Sequence, residues 1–167
     1  MNKILVFALL MLLHVAGFSQ KFGYLNSAAL LAEVPEVKQA DANLKAFQNQ
    51  LMKKGQEMAK ELQEKAALLE RKKEQGTISP RDYQAQMAKL QEEEEAIGKY
   101  EQEVYAKLAK KREEEYRPIL ERVNKAMEET AREGGFLLVF DSSTSVVVYA
   151  DEALDLTPLV KAKLGIK

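Results

Sequence analysis

Residues 69–90 read LERKKEQGTISPRDYQAQMAKL, and the break inside them, Gln75-Gly76-Thr77-Ile78-Ser79-Pro80, decides the fold. From about Pro35 to Arg132 the chain is dense in Ala, Leu, Glu, Gln, Lys and Met, all good helix formers, and this is its one sharp interruption. Gly and Pro among small polar residues mark a reversal. About 40 helical residues precede it, and a leg of that length reaches roughly 60 Å, more than the width of a small domain. The pattern predicts two long helices running antiparallel as an arm.

Proline 118 sets where the arm ends. A proline inside a helix removes a hydrogen bond and kinks the axis. Ending the return leg near Arg117-Pro118 makes it about 38 residues, which balances the outgoing leg. The expected arm is therefore 35–117 with its tip near 75–80, and Ile119 to Arg132 becomes a separate segment of the body.

The seam of this arm is half filled. On the outgoing leg Val37, Leu44, Leu51 and Met58 recur every seventh residue. Their companions Ala40 and Phe47 give way to Lys54 and Glu61, and the stripe then shifts by four to Leu62 and Leu69, a stutter. On the return leg Tyr83, Leu90, Ile97 and Val104 keep the seven-residue step, with Met87 and Leu108 as companions but Glu94 and Glu101 between them. A strong coiled coil wants both seam positions apolar. Pairs such as Glu61→Lys65, Glu103→Lys107 and Glu128→Arg132 favour helix by only about 0.2–0.5 kcal/mol each.

Outward from the arm, Phe22-Gly23-Tyr24-Leu25-Asn26 reads as a strand, and Asn26-Ser27 caps one or two helical turns to Glu33. After Gly134-Gly135, the apolar runs 136–140 and 146–150 flank the polar stretch 141–145, which predicts a hairpin buried on both faces. Thr157-Pro158 reads as an N-cap and first-turn proline opening a last helix that Gly165 closes. The fold class is α+β: a small β-sheet body from 20–34 and 118–167 with the long antiparallel helical hairpin. One copy can cover one face of a three-stranded sheet; the other face must meet further copies. The expected state is a homo-oligomer, with Phe22, Tyr24, Leu138, Phe140, Val147 and Tyr149 as the oligomer-body residues.

Residues 1–19 read as a secretory signal: Lys3, then an apolar run from Ile4 to Val15, then Gly17 and Ser19 ahead of a cut near Ser19. Its removal leaves 24 cations against 26 acids, a net charge of −2. That balance excludes the strong basic excess of a nucleic-acid binder. The chain has no cysteine, and its one histidine, His14, lies within the signal. The mature chain so lacks thiol nucleophiles, imidazole acid–base chemistry and the usual zinc ligands, and no phosphate-binding glycine motif is present. No catalytic residue, metal or cofactor is expected, and the protein is not read as an enzyme.

Lys21-Phe22-Gly23-Tyr24-Leu25-Asn26 with Leu30, Phe136-Leu137-Leu138-Val139-Phe140-Asp141, and Val147-Val148-Tyr149-Ala150 followed by Asp155-Leu156-Thr157 resemble the Skp/OmpH family of periplasmic chaperones. The resemblance spans the mature chain and is most specific at its termini. It implies a homotrimer with a β-barrel body and three arms around a cavity, holding unfolded outer-membrane proteins in the periplasm without ATP. This sequence departs from the better-known members, which are strongly basic, so lipopolysaccharide binding is not carried over. Only Lys53 to Arg81, with 8 cations against 5 glutamates, is mildly basic, and membrane contact by the tips stays open.

For such a holdase, Met52, Met58, Leu62, Met87, Leu90 and Ile97 are the expected client contacts, because thioethers and sparse aliphatics adapt to varied partners. Gly55 and Gly98, brought to one height by the hairpin, are the expected hinge. The alternative is a coiled-coil spacer or adaptor of the cell envelope, which would call for a regular, filled seam.

Overall fold

The computed structural model of the chain describes residues 20–144 and 146–166, so the expected signal lies outside the described residues. In chain order the elements are β1 (Lys21–Leu25), α1 (Ser27–Glu33), α2 (Pro35–Glu74), α3 (Pro80–Glu133), β2 (Phe136–Asp141) and α4 (Thr157–Leu164). Short 3-10 turns occupy Ser142–Thr144 and Glu152–Leu154. The chain divides into two compact units, Val34–Glu121 and the residues on either side of that range.

In the unit Val34–Glu121, the turn chemistry forms as the sequence dictates. Gly76 adopts φ 64°, and Thr77 N–H donates to the Lys72 carbonyl at 2.9 Å, closing α2 with a Schellman-type cap. Ser79 Oγ then accepts the Asp82 amide at 3.1 Å and donates to the Asp82 carboxylate at 2.6 Å, while Pro80 takes the first turn of α3.

One expectation fails on α3. It is a single helix of 54 residues that runs through Pro118, so no helix break sets Ile119 to Arg132 apart, although the division between the two units falls close by, between Glu121 and Arg122. Proline costs an interior helix about 3 kcal/mol. Residues just beyond it, Ile119 and Val123, are buried.

In the other unit, β1 and β2 form a two-stranded parallel sheet, with Phe22 opposite Leu138 and Tyr24 opposite Phe140. On the far edge of β1, Leu156 N–H donates to the Tyr24 carbonyl at 2.8 Å. Leu25, Leu30, Leu156 and Val160 form the buried core with Val123 and Ala126. Gly23 is required there: a Cβ would stand 2.3 Å from Leu156 Cδ1 and 2.9 Å from the Phe136 ring. α4 is capped one residue earlier than expected. Leu156 is its N-cap, and Asp155 Oδ1 accepts the Thr157 amide at 2.8 Å. The Thr157 hydroxyl instead accepts the Asn26 amide at 3.4 Å.

The expected hairpin of 136–140 with 146–150 is absent. β2 pairs with β1, and residues 146–150 form no strand. The reason lies at Asp141. Its carboxylate accepts the Ser27 hydroxyl at 2.5 Å, the Ser27 amide at 3.2 Å and the Ser143 amide at 2.9 Å. These bonds tie the end of β2 to the start of α1 and wind Ser142–Thr144 into a 3-10 turn, which does not reverse the chain onto β2. Nor is β2 buried on both faces: Leu137, Leu138 and Phe140 are exposed.

Partial desolvation pushes the Asp141 pKa up, but the hydrogen bonds from Ser27 and Ser143 outweigh it and bring it down to about 2. The folded value lies below the ordinary 3.8, so the carboxylate contributes stability above that pH and loses it as pH falls from 3.8 toward 2. Asp141→Ala is expected to cost about 1–2 kcal/mol at pH 7, the usual range for a lost cap. Urea unfolding of the two proteins at pH 7 and pH 2.5 checks this: their difference should shrink at the lower pH.

Candidate functional site

Two surfaces stand out, one in each unit. In Val34–Glu121 the seam between α2 and α3 is built from a row of small and large residues. Val37, Ala40, Leu51 and Leu69 of α2 are buried in it, with Leu44, Phe47, Met58 and Leu62 half-buried. From α3 come half-buried Tyr83, Leu90, Ile97 and Val104, with Tyr100 and Ile119 buried.

The cross-seam contacts fix the register. Lys65 Nζ meets Glu93 Oε1 at 2.6 Å, Asn43 Nδ2 donates to Glu115 Oε2 at 3.1 Å, and Tyr83 Oη donates to Glu70 Oε1 at 2.5 Å. Tyr116 also donates to Asp41. The hydrogen bond to Glu93 raises the Lys65 pKa, and the bond to Tyr83 raises that of Lys73.

After Tyr83, Leu90 and Ile97 the companion positions on α3 are Gln86, Glu93 and Tyr100, three residues on rather than four, while the expected Leu108, four after Val104, is half-buried. Glu94 and Glu101 are accordingly exposed, and Met87 is off the seam. Sequence reasoning missed Tyr100, the centre of the arm. Its ring is 7% exposed, and its hydroxyl donates to the Leu51 carbonyl at 3.0 Å. Lys54 and Lys107 stand over the ring, 5.2 and 5.5 Å from its centroid. A three-residue step from Ile97 would have found it.

The expected client contacts divide into two sets. Met58, Leu62, Leu90 and Ile97 are half-buried along the seam. Met52 and Met87, at 52% and 41% exposure, stand in solvent, as does Tyr105 at 77%, which the sequence reading did not single out. The two glycines also differ. A Cβ on Gly55 would meet the Tyr100 ring at 3.5 Å, an ordinary contact, whereas one on Gly98 would meet nothing within 4 Å.

In the other unit, Phe22, Tyr24, Phe140, Val147 and Tyr149 border one open apolar depression with Val146, Val148 and Leu154. Leu138 is exposed on β2, two residues from Phe140 and so on the same face of the strand. Val148 is 97% exposed and Tyr149 86%, unusual for adjacent large apolar residues.

Among the described residues, no group of His, Cys, Asp and Glu is placed to hold a metal ion. No helix among them is long and apolar enough to cross a membrane. What the two surfaces offer is contact: an exposed apolar body patch and a long, sparsely apolar helical pair.

The model of the family described as outer membrane protein (OmpH-like) matches residues 21–164. No curated protein matches. Among solved structures, a crystal structure from Caulobacter crescentus, described as an outer membrane chaperone candidate (OmpH-like), is similar to this chain at 21% identity and a TM-score of 0.76. The match covers 86% of this chain and 82% of that one, and the likeness is one of fold.

Proposed function

The chain belongs to the OmpH-like family of outer membrane proteins, and on that ground we propose that it is a periplasmic holdase chaperone, which binds unfolded outer-membrane proteins and prevents their aggregation without ATP. The observation that carries this reading is the half-filled seam of α2 and α3, with Met52, Met87 and Tyr105 left in solvent. A holdase needs apolar contacts that stay available and individually weak, so that many of them sum to avidity while each can exchange. Methionine suits this, since its thioether adapts to varied partners. Met58, Leu62, Leu90 and Ile97, at the seam edge, add contacts where the helices yield.

The protein acts as a homo-oligomer, a trimer on the family resemblance. The open apolar depression and the exposed Leu138 supply the surface for it. Closing β2's outer edge against another copy would also remove an unpaired strand. No catalytic step is assigned to it.

The test is to dilute a urea-unfolded β-barrel membrane protein into buffer and follow light scattering. Added protein should suppress scattering at stoichiometric amounts without nucleotide. Unchanged scattering removes the chaperone reading.

Gly55 and Gly98 serve in this proposal as the compliant level of the arm, Gly98 chiefly, since nothing packs on it. Replacing both by Ala should raise stability by about 1 kcal/mol at each site, because helix entropy favours alanine. Capture of small clients should persist and capture of large ones should fall. Unaltered capture of large clients by a stabilised double variant counts against the hinge.

A further inference from the structure

The two flanks of the α2–α3 pair are chemically unlike. Lys54 and Lys107 both stand over the Tyr100 ring and share one groove with Phe47, Leu51 and Lys53, which fixes one flank. Lys65, Leu68 and Lys89 border a second groove with Glu93. Cations and glutamates lace this side: Lys65 pairs with Glu93 at 2.6 Å and Lys107 with Glu103 at 2.8 Å.

Residues 52 and 105 precede Lys54 and Lys107 by two positions, a rotation of about 200° on each helix, and so face the other flank. The cross-seam register puts Met52 and Tyr105 within a turn of the same height. Met87 precedes Tyr105 by eighteen residues, five full turns, and lies on the same side about 27 Å away. Following that flank along α2 at steps of three and four gives Gln48, Met52, Gln56, Ala59 and Gln63, all exposed and none charged. Along α3 it gives Met87, Gln91, Glu94, Gly98, Glu101 and Tyr105, again all exposed. Between residues 48 and 63 and between 87 and 105 its only charges are two glutamates, in a chain whose residues are 31% charged; the same steps next reach Lys45 on α2 and Arg112 on α3.

We propose that this cation-free stretch of the flank is the client-gripping surface and that it selects extended segments rich in apolar residues and poor in acidic ones. The spacing of Met87 from Tyr105 spans about eight residues of extended chain, close to the length of a membrane-spanning β-strand. Glu94 and Glu101 repel carboxylates and favour a lysine or arginine between the apolar anchors. The assignment rests on the chaperone reading and names the part of the arm that performs it.

The experiment places a photoreactive residue singly at Met52, Met87 and Tyr105, and singly at Lys54, Lys89 and Lys107. Each full-length variant receives a β-barrel membrane protein diluted from urea. Two ten-residue peptides of equal apolar content, one with two lysines and one with two glutamates, then compete for the site. Cross-linking is expected to be several-fold stronger from 52, 87 and 105, and the lysine peptide is expected to compete several-fold better. Equal or stronger cross-linking from the lysine flank, or preference for the glutamate peptide, overturns the assignment. If aggregation is suppressed while cross-links fall on the lysine flank, the chaperone reading stands and only this flank is wrong. If the unmodified protein suppresses nothing, both fall.

Discussion

Val148→Glu with Tyr149→Lys is expected to convert the proposed oligomer into monomers while leaving the helices intact. These side chains are 97% and 86% exposed in a single chain, so the substitutions disturb little within one copy. Buried between copies, each apolar side chain would contribute about 1.5–3 kcal/mol, and a charge placed there would cost more than it replaces. Several copies of the double change at one interface leave no margin for assembly. Sedimentation at micromolar concentration should give the mass of one chain, with circular dichroism unchanged. An undiminished assembly would place the contact elsewhere, and a parent protein that is already monomeric would remove the oligomer from the account.

Tyr100→Ala should produce the largest loss of stability available in the arm, about 3–5 kcal/mol, as for other buried aromatic residues cut to alanine. The ring fills the space opposite Gly55, and no neighbour on the polar seam at Gln86 or Glu93 can replace it. Tyr100→Phe keeps the ring and loses only the bond to the Leu51 carbonyl, an effect of about 1 kcal/mol. The ratio of the two losses, read from urea unfolding by circular dichroism, separates packing from hydrogen bonding. Similar losses for both variants would show that the hydroxyl, not the ring, closes the middle of the seam.

The long-range plan was legible because helical pattern and turn chemistry are local. Gln75 to Pro80 carries its own cap, turn and restart, and it forms at the expected place. Three readings went astray where a distant partner decides. Pro118 looked like a helix end, but α3 runs through it, and Ile119 and Val123 just beyond are buried. The apolar run 146–150 looked like a hairpin strand, since period alone cannot say which strand a run will pair with. Asp141, tied to Ser27 from 114 residues away, turns the chain before it can fold back. Tyr100 was missed because its neighbours at Glu94 and Glu101 were read into the seam, a one-residue error of phase. On the arm, Met52 lay off both seam positions in the sequence, whereas Met87 was read as a seam companion and stands exposed. Which flank they share was not legible, because that depends on how two helices face each other.

The most direct measurement is the native mass of the protein after an unfolded β-barrel membrane protein is diluted into it without nucleotide. The expected result is a discrete complex of one client with one oligomer, and a client that is still unfolded by circular dichroism. Free oligomer beside aggregated client would contradict it.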